Sequence, residues 1–464
     1  MSATTHAPPR GTDRTAGAVG TRPGRAGPGA GAGPPRLGTP RAPHARTVLL
    51  LVVGLHLVAE TALTPFLPQL FRTLFGVDDL TATGTFLWVC RVAGCLAFPL
   101  WGLAARRWPA ERLVLTGLCA STVIYAAMVL APDYATFTAL SAAVVATNAA
   151  LLLAYPALIS SYERGHHDDG AGGAESPGRQ RLRGIRAYVA VFHGAVVVST
   201  VVGAAVMALP SPRWGLLVFV LLGATLAVLC RRALRGVDHV RSPGRAATPA
   251  EPEAPPAPVA PGVPTAPTQT RPAVRIRPRH VVAVAALAVV FEIATNVVRP
   301  FFTEYAATGG LGTTAGAAQF LVASLAALAV LPLAEPACRL LGRWLLPAGF
   351  LLAAAGLLWQ CLGPDLVTLT AGRIVFGVGL GLGHVALDLR MFGATGTAAP
   401  AYAAVQTARI GGLFVSPVLA TLAATADLVL PLVLGAVLYV LGAVLAPCLT
   451  PHHPHRKEAS RPWP

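Results

Sequence analysis

Long apolar stretches recur along this chain, each close to the length that crosses a bilayer, with short polar turns between them. A helix rises 1.5 Å per residue, so roughly 20 apolar residues span about 30 Å of hydrocarbon. Runs of this kind cover residues 48–71, 84–104, 113–131, 137–159, 188–209 and 216–230, and then residues 281–305, 317–338, 345–361, 366–389, 402–425 and 428–448. The pattern predicts an all-α integral membrane protein of about twelve transmembrane helices, arranged as two six-helix, pseudo-symmetric bundles. Residues 47–230 form the first bundle in this reading and residues 280–448 the second. Between them, residues 231–279 open on Arg231, Arg232 and Arg235, close on Arg275, Arg277 and Arg279, and are rich in Pro and Ala. Such a segment cannot bury a core and reads as a disordered basic linker. Residues 1–46, rich in Gly, Pro, Ala and Arg, read as a disordered tail without the apolar stretch of a secretory signal, and residues 449–464 as a short second tail.

Composition agrees with lipid as the solvent. Of 464 residues only 12% are charged, against about 25% in soluble domains. The net charge of +16 does not read as a nucleic-acid face, because the arginines lie in the tails and between the apolar runs. Basic loops hold Arg106, Arg107 and Arg112, then Arg179, Arg181, Arg183 and Arg186, then the linker, then Arg339 and Arg343. They alternate with turns lacking Lys and Arg, such as Val77-Asp78-Asp79, Pro132-Asp133-Tyr134 and Gly363-Pro364-Asp365. Cytoplasmic loops collect Lys and Arg, so both termini are expected in the cytoplasm. The preference for Arg over Lys, with abundant Ala, Gly and Pro, fits a high-GC bacterial genome, and the expected location is the bacterial plasma membrane.

Several chemistries lack their motifs. The seven cysteines lie in or beside apolar runs without metal-site spacing and read as packing residues. The run His166-His167-Asp168-Asp169 sits in a Gly-rich loop with no frame to fix ligands, so no metal and no cofactor is expected. Neither a phosphate-binding Gly-x-x-x-x-Gly-Lys-Ser/Thr loop nor a His-Glu-x-x-His helix occurs, which argues against ATP as direct fuel and against an enzyme.

The two halves carry weak internal symmetry. The first apolar run of one half contains Glu60, then Pro65-Phe66-Leu67, and that of the other contains Glu292, then Pro300-Phe301-Phe302. Six helices, a long basic linker and six more helices resemble the major facilitator superfamily of secondary transporters. The loop after the second run, Gly102-Leu103-Ala104-Ala105-Arg106-Arg107, is similar to the family's G-x-L-A-D-R-x-G-R-R, with Arg106 in place of its aspartate and Pro109 in place of its second glycine. A second partial copy is Glu335 to Arg343, and Arg373-x-x-x-Gly377-x-Gly379-x-Gly381 resembles the family's R-x-x-x-G-x-G-x-G signature. The Gly-Pro pair of the family's drug antiporters is missing from the fifth run. The resemblance implies a protein working as a monomer by alternating access, with a small-molecule substrate near the midplane and protons as coupling ion. Export of a metabolite or drug-like compound is the first expectation; uptake of an anionic nutrient, or a transport-inactive sensor with the same fold, is the alternative.

Ionisable side chains inside apolar runs are the candidate machinery, since each costs about 2.5–3.5 kcal/mol on insertion scales. Glu292, Asn296 and Arg299, spaced by four and three, share one helix face that can bind substrate and carry a proton on Glu292. Alternatively Glu292 simply neutralises Arg299 or Arg91. Glu60, one turn after His56, is a second coupling candidate, and Arg91 is either its counter-ion or a carboxylate-binding fork. Arg373, Gln406 and Arg409 add positive and polar character to the second half. Arg106, Arg107, Arg343 and Asp388 are expected at a cytoplasmic gate; Asp388 and His384, one turn apart and close to Arg390, read there as a solvated gate or a salt bridge. The glycines at 377, 379, 381 and 383 form two small-residue ridges, suited either to rocking of one bundle on the other or to static packing.

Overall fold

The computed structural model describes residues 54–105, 107–108, 110–150, 177–241, 278–395 and 399–448. All regular secondary structure among them is helical. Before the linker the chain forms α1 (54–61), α2 (Leu67–Phe75), α3 (Leu80–Ala104), α4 (Ala110–Val129), α5 (Tyr134–Asn148), α6 (Pro177–Met207) and α7 (Leu217–Arg241). After it come α8 (Pro278–Val298), α9 (Phe302–Thr308), α10 (Thr313–Val330), α11 (Ala334–Leu341), α12 (Leu345–Gln360), α13 (Leu366–Thr395), α14 (Ala399–Ala426) and α15 (Leu430–Cys448). Nine stretches among the described residues are long and apolar enough to cross a membrane, which identifies a multi-pass α-helical membrane protein.

Two of the helices break where a proline interrupts the hydrogen-bond ladder. Pro65 lies in a 3₁₀ turn, Thr64–Phe66, and Pro300 in the turn that ends α8. The residues after them, Phe66 and Phe301, hold φ −113°, ψ 4° and φ −111°, ψ 1°, and each starts a short helix, α2 or α9. The expected internal symmetry therefore exists at backbone level around these two prolines. The stretch Thr313–Gln360 is 48 residues long. It is interrupted by the 3₁₀ turn Leu331–Leu333 and by Gly342, whose φ of 49° lies in the left-handed region that favours glycine.

Helix starts follow the sequence. Asp79 caps α3 through the Thr81 amide at 2.8 Å, and Asp133 caps α5 through the Thr136 amide at 2.8 Å. Asp365 accepts from the Val367 and Thr368 amides, and Asp427 from the Val429 amide. The acidic turns that contrast with the basic loops are thus the caps of the following helices. At the basic end, two helices run past their apolar cores: α6 begins at Pro177 rather than near 188, and α7 continues to Arg241, into the segment read as linker. A water-facing turn of helix needs no apolar residues, so hydropathy does not mark it.

Buried apolar side chains gather in two main clusters. One draws on residues between Ala62 and Phe219; the other runs from Val284 to Ala446 and includes Val196 of α6. Helices α3, α4, α5 and α7 pack on one another, as do α8, α10, α12, α13, α14 and α15. Two seams join the chain before the linker to the helices after it: α3 lies against α14, and α6, which also touches the turn Thr64–Phe66, lies against α10 and α13.

Candidate functional site

Helix α8 presents Glu292, Asn296 and Arg299 on one side, as their spacing requires. Asn296 donates from Nδ2 to Glu292 Oε2 at 3.0 Å, and Arg299 donates from Nη1 to Asn296 Oδ1 at 3.4 Å. The ion-pair partner of Glu292 is Arg409 of α14, which donates from Nε to Oε1. The expected pairing with Arg299 or Arg91 is therefore corrected: the α8–α14 contact puts Arg409 closer, while Arg91 donates to Glu60 Oε1 at 3.1 Å. The same Arg409 holds Asp388 Oδ1 at 3.6 Å and His384 Nε2 at 3.1 Å, both on α13. One guanidinium on α14 thus joins two carboxylates and an imidazole from two other helices. The exposure of these side chains is 9% for Arg409, 8% for Asp388 and 14% for Glu292.

Asp388 and His384 are buried, and of the two roles expected for them, a solvated gate or a salt bridge, the structure shows a salt bridge, made with Arg409 rather than Arg390. Helix α13 continues to Thr395, so position 388 remains inside it, whereas Arg390 points elsewhere and donates to the Ala446 and Arg343 carbonyls. His384 is also framed by α6: the ring centroids of Phe192 and His193 lie 5.4 and 5.9 Å away, and that of Phe291 of α8 lies 5.3 Å away.

A second, smaller network belongs to the first run. Glu60 is held by Arg91, and His56 Nε2 stands 3.6 Å from Glu60 Oε2. This supports the reading of Arg91 as counter-ion.

Beside Arg299 lies a cavity of about 30 Å³ between α6, α8, α10 and α13. Arg373 enters it from α13 and donates to the Gln319 and Phe320 carbonyls at 3.2 and 3.1 Å, with its guanidinium 3.9 Å above the Phe302 ring. His193 lines it from α6. It is 1% exposed, and both ring nitrogens lack a hydrogen-bond partner. His193 stands in the fifth run and is not among the candidates that the sequence pattern singles out. A lone histidine in the middle of a long apolar run was the signal that could have found it.

The remaining candidates stand apart from both networks. Gln406 donates to the Tyr402 hydroxyl at 2.8 Å, one turn away on its own helix. Arg107 and Arg343 are exposed, Arg343 lying over Trp344. Arg106 and the run His166–Asp169 lie outside the described residues. The two glycine ridges of α13 each have a partner: Gly377 and Gly381 press on Ala323 and Ala327 of α10, and Gly379 and Gly383 on Gly349, Phe350 and Ala353 of α12. Neither ridge faces α3 to α5 or α7.

Two contacts tie the parts of the chain together near the helix ends. At the acidic end Arg72 reaches Asp78 at 2.8 Å and Glu304 at 3.2 Å, and the Thr303 hydroxyl donates to the Pro65 carbonyl, so the two proline breaks meet. At the basic end Arg179 Nε lies 3.8 Å from Glu335 Oε1, which Arg339 also holds at 2.5 Å. No protein-family model matches this chain, and no curated protein matches it either.

Proposed function

We propose that this chain is a secondary transporter of a small organic solute, a twelve-pass protein of the bacterial plasma membrane that works as a monomer by alternating access and couples transport to protons. The observation that carries the reading is Arg409, buried among the apolar helices between Glu292 and Asp388. A scaffold gains nothing from charges that cost about 2.5–3.5 kcal/mol each to insert. Two carboxylates that share one guanidinium form a protonatable switch. When either accepts a proton, its attraction to Arg409 falls, and α8, α13 and α14 lose the contact that binds them.

The packing supports a two-bundle design of the kind the major facilitator superfamily uses. Counting twelve passes, with Thr313–Gln360 crossing twice, the seams join the second pass to the eleventh and the fifth to the eighth. Moving each partner by six positions turns one seam into the other, as a duplicated fold requires. In this reading the contact of Arg72 with Glu304 closes one end and that of Arg179 with Glu335 the other, and transport alternates their opening. The basic loops would face the cytoplasm, along with both termini.

The test is proton flux in liposomes. With a pH-sensitive dye inside, a panel of organic solutes should include compounds that drive proton movement in the wild type, and Glu292→Gln should abolish that movement while the variant stays folded. Glu60→Gln asks the same of the smaller network. Solutes that bind and raise thermal stability without moving protons would defeat the coupling proposal and favour a uniporter or a membrane sensor.

A further inference from the structure

Resting on the transport reading, which supplies the solute, the geometry points to an organic carboxylate as the ligand of the cavity between α6, α8, α10 and α13. The argument starts from the distribution of charge. Four buried or half-buried arginines, Arg91, Arg299, Arg373 and Arg409, stand near three carboxylates, Glu60, Glu292 and Asp388. The carboxylates are all spent on two of the arginines, Glu60 on Arg91 and the other two on Arg409. Among the described residues Arg299 hydrogen-bonds to the Asn296 amide oxygen alone, at the long distance of 3.4 Å, and Arg373 to two backbone carbonyls beside aromatic faces. Among the described residues neither has a carboxylate within ion-pair distance, and these are the two arginines that line the cavity. The charge of Arg299 acts repulsively on Arg373, while Glu292, although beyond ion-pair distance, offsets part of the Arg299 charge. An anion between them would relieve that repulsion in a medium where it is screened little.

The third polar wall is His193, buried, with both ring nitrogens unpartnered. A buried imidazole without a partner carries an unmet hydrogen-bonding demand, and a ring N–H beside two guanidinium groups matches an anionic oxygen. Ser324 and Thr295 complete the polar part of the lining. The remainder is apolar, including Phe192, Val196 and Leu380. The volume of about 30 Å³ is roughly two water-sized spheres, which suits the two oxygens of one carboxylate. Arginine forks take such a group bidentately, and the apolar walls suit a hydrocarbon body, exposed to it as the helices part.

The experiment uses the purified full chain in detergent, with hexanoate as probe and hexanamide and hexylammonium as controls of nearly the same shape. Binding is read by calorimetry and by the shift in melting temperature. Hexanoate should bind about 10-fold or more tightly than hexanamide, hexylammonium should not bind, and Arg299→Gln and Arg373→Gln should each weaken hexanoate by a similar factor. Ser324→Leu, which fills the cavity and leaves every charge in place, should abolish binding even if the arginine variants fold poorly. Equal binding of acid and amide, unchanged affinity in the folded variants, or no binding of hexanoate would each overturn the assignment. Liposome uptake of labelled hexanoate separates the two proposals: binding without transport would count against the transporter and leave the anion site standing.

Discussion

Arg409 is the residue on which the buried polar network depends. It is the only contact among the described residues that ties both Glu292 and Asp388, and removing one member of a buried ion pair typically costs 3–5 kcal/mol because the other charge is left without compensation. Arg409→Met should therefore lower stability by about that much, read as a large drop in melting temperature in detergent. Arg409→Lys should rescue little, since a single ammonium cannot bridge two carboxylates and His384 from one fork. Outside the membrane, the hydrogen bond from the Thr136 amide holds the Asp133 carboxyl below its ordinary range. A depressed folded-state pKa contributes stability that is present above the unfolded value and is lost as pH falls through the folded one. Asp133→Ala should thus lower the melting temperature at pH 7, and the difference from wild type should shrink below about pH 4.

At the scale of helices, α13 is held by backbone approach rather than by large side chains. A Cβ on Gly356 of α12 would run into the backbone of Phe376 and the Gly372 carbonyl, neither of which can step aside. Gly356→Val should destabilise by at least about 1–3 kcal/mol, the usual cost of overfilling a packed core. Gly411 of α14 has nothing within 4 Å of such an atom and is exposed, so Gly411→Ala should not lower the melting temperature and should raise it slightly, since Ala is the better helix former. Because the ridges of α13 meet α10 and α12, helices of its own set, they serve static packing in this conformation. The sliding surfaces would be the seams, where Gly84 of α3 presses on Thr421 of α14.

For the whole molecule, the proline breaks bring the outer pieces of the two symmetry-related helices into contact, with Arg72 and Glu304 as the charged pair. Arg72 is also held by Asp78, and its side chain is 48% exposed, so the pair should contribute under about 1 kcal/mol to stability. If the proposed transport cycle holds, its effect is on the balance between open and closed ends. Arg72→Glu should raise the labelling rate of a cysteine replacing the buried Ala306 by a membrane-impermeant reagent, and Glu304→Arg in the same chain should restore protection. A double variant no better protected than the single one would show that the two residues are not coupled.

How much of this was legible depends on the range of the physics involved. Hydropathy along the chain determined the membrane class and the approximate helices, because the cost of exposing backbone to lipid acts on each run of residues by itself. Asp79, Asp133 and Asp365 were readable as turn residues, and capping acts over only three residues. The grouping of Glu292, Asn296 and Arg299 on one face likewise followed from helical periodicity alone. Partners were not legible: 117 residues separate Glu292 from Arg409, and only the α8–α14 contact makes them a pair. Asp388 was placed at a gate because its run looked shorter than the helix that forms, since water-exposed turns leave no hydropathic trace. His193 and Arg373, 180 positions apart in the numbering, line one cavity because α6 crosses to the later helices. The sequence alone therefore determined the solvent each segment requires and the face each side chain occupies. Which charges neutralise each other, and which two arginines remain to face a cavity, was decided by tertiary packing, because electrostatic pairing depends on distance in space.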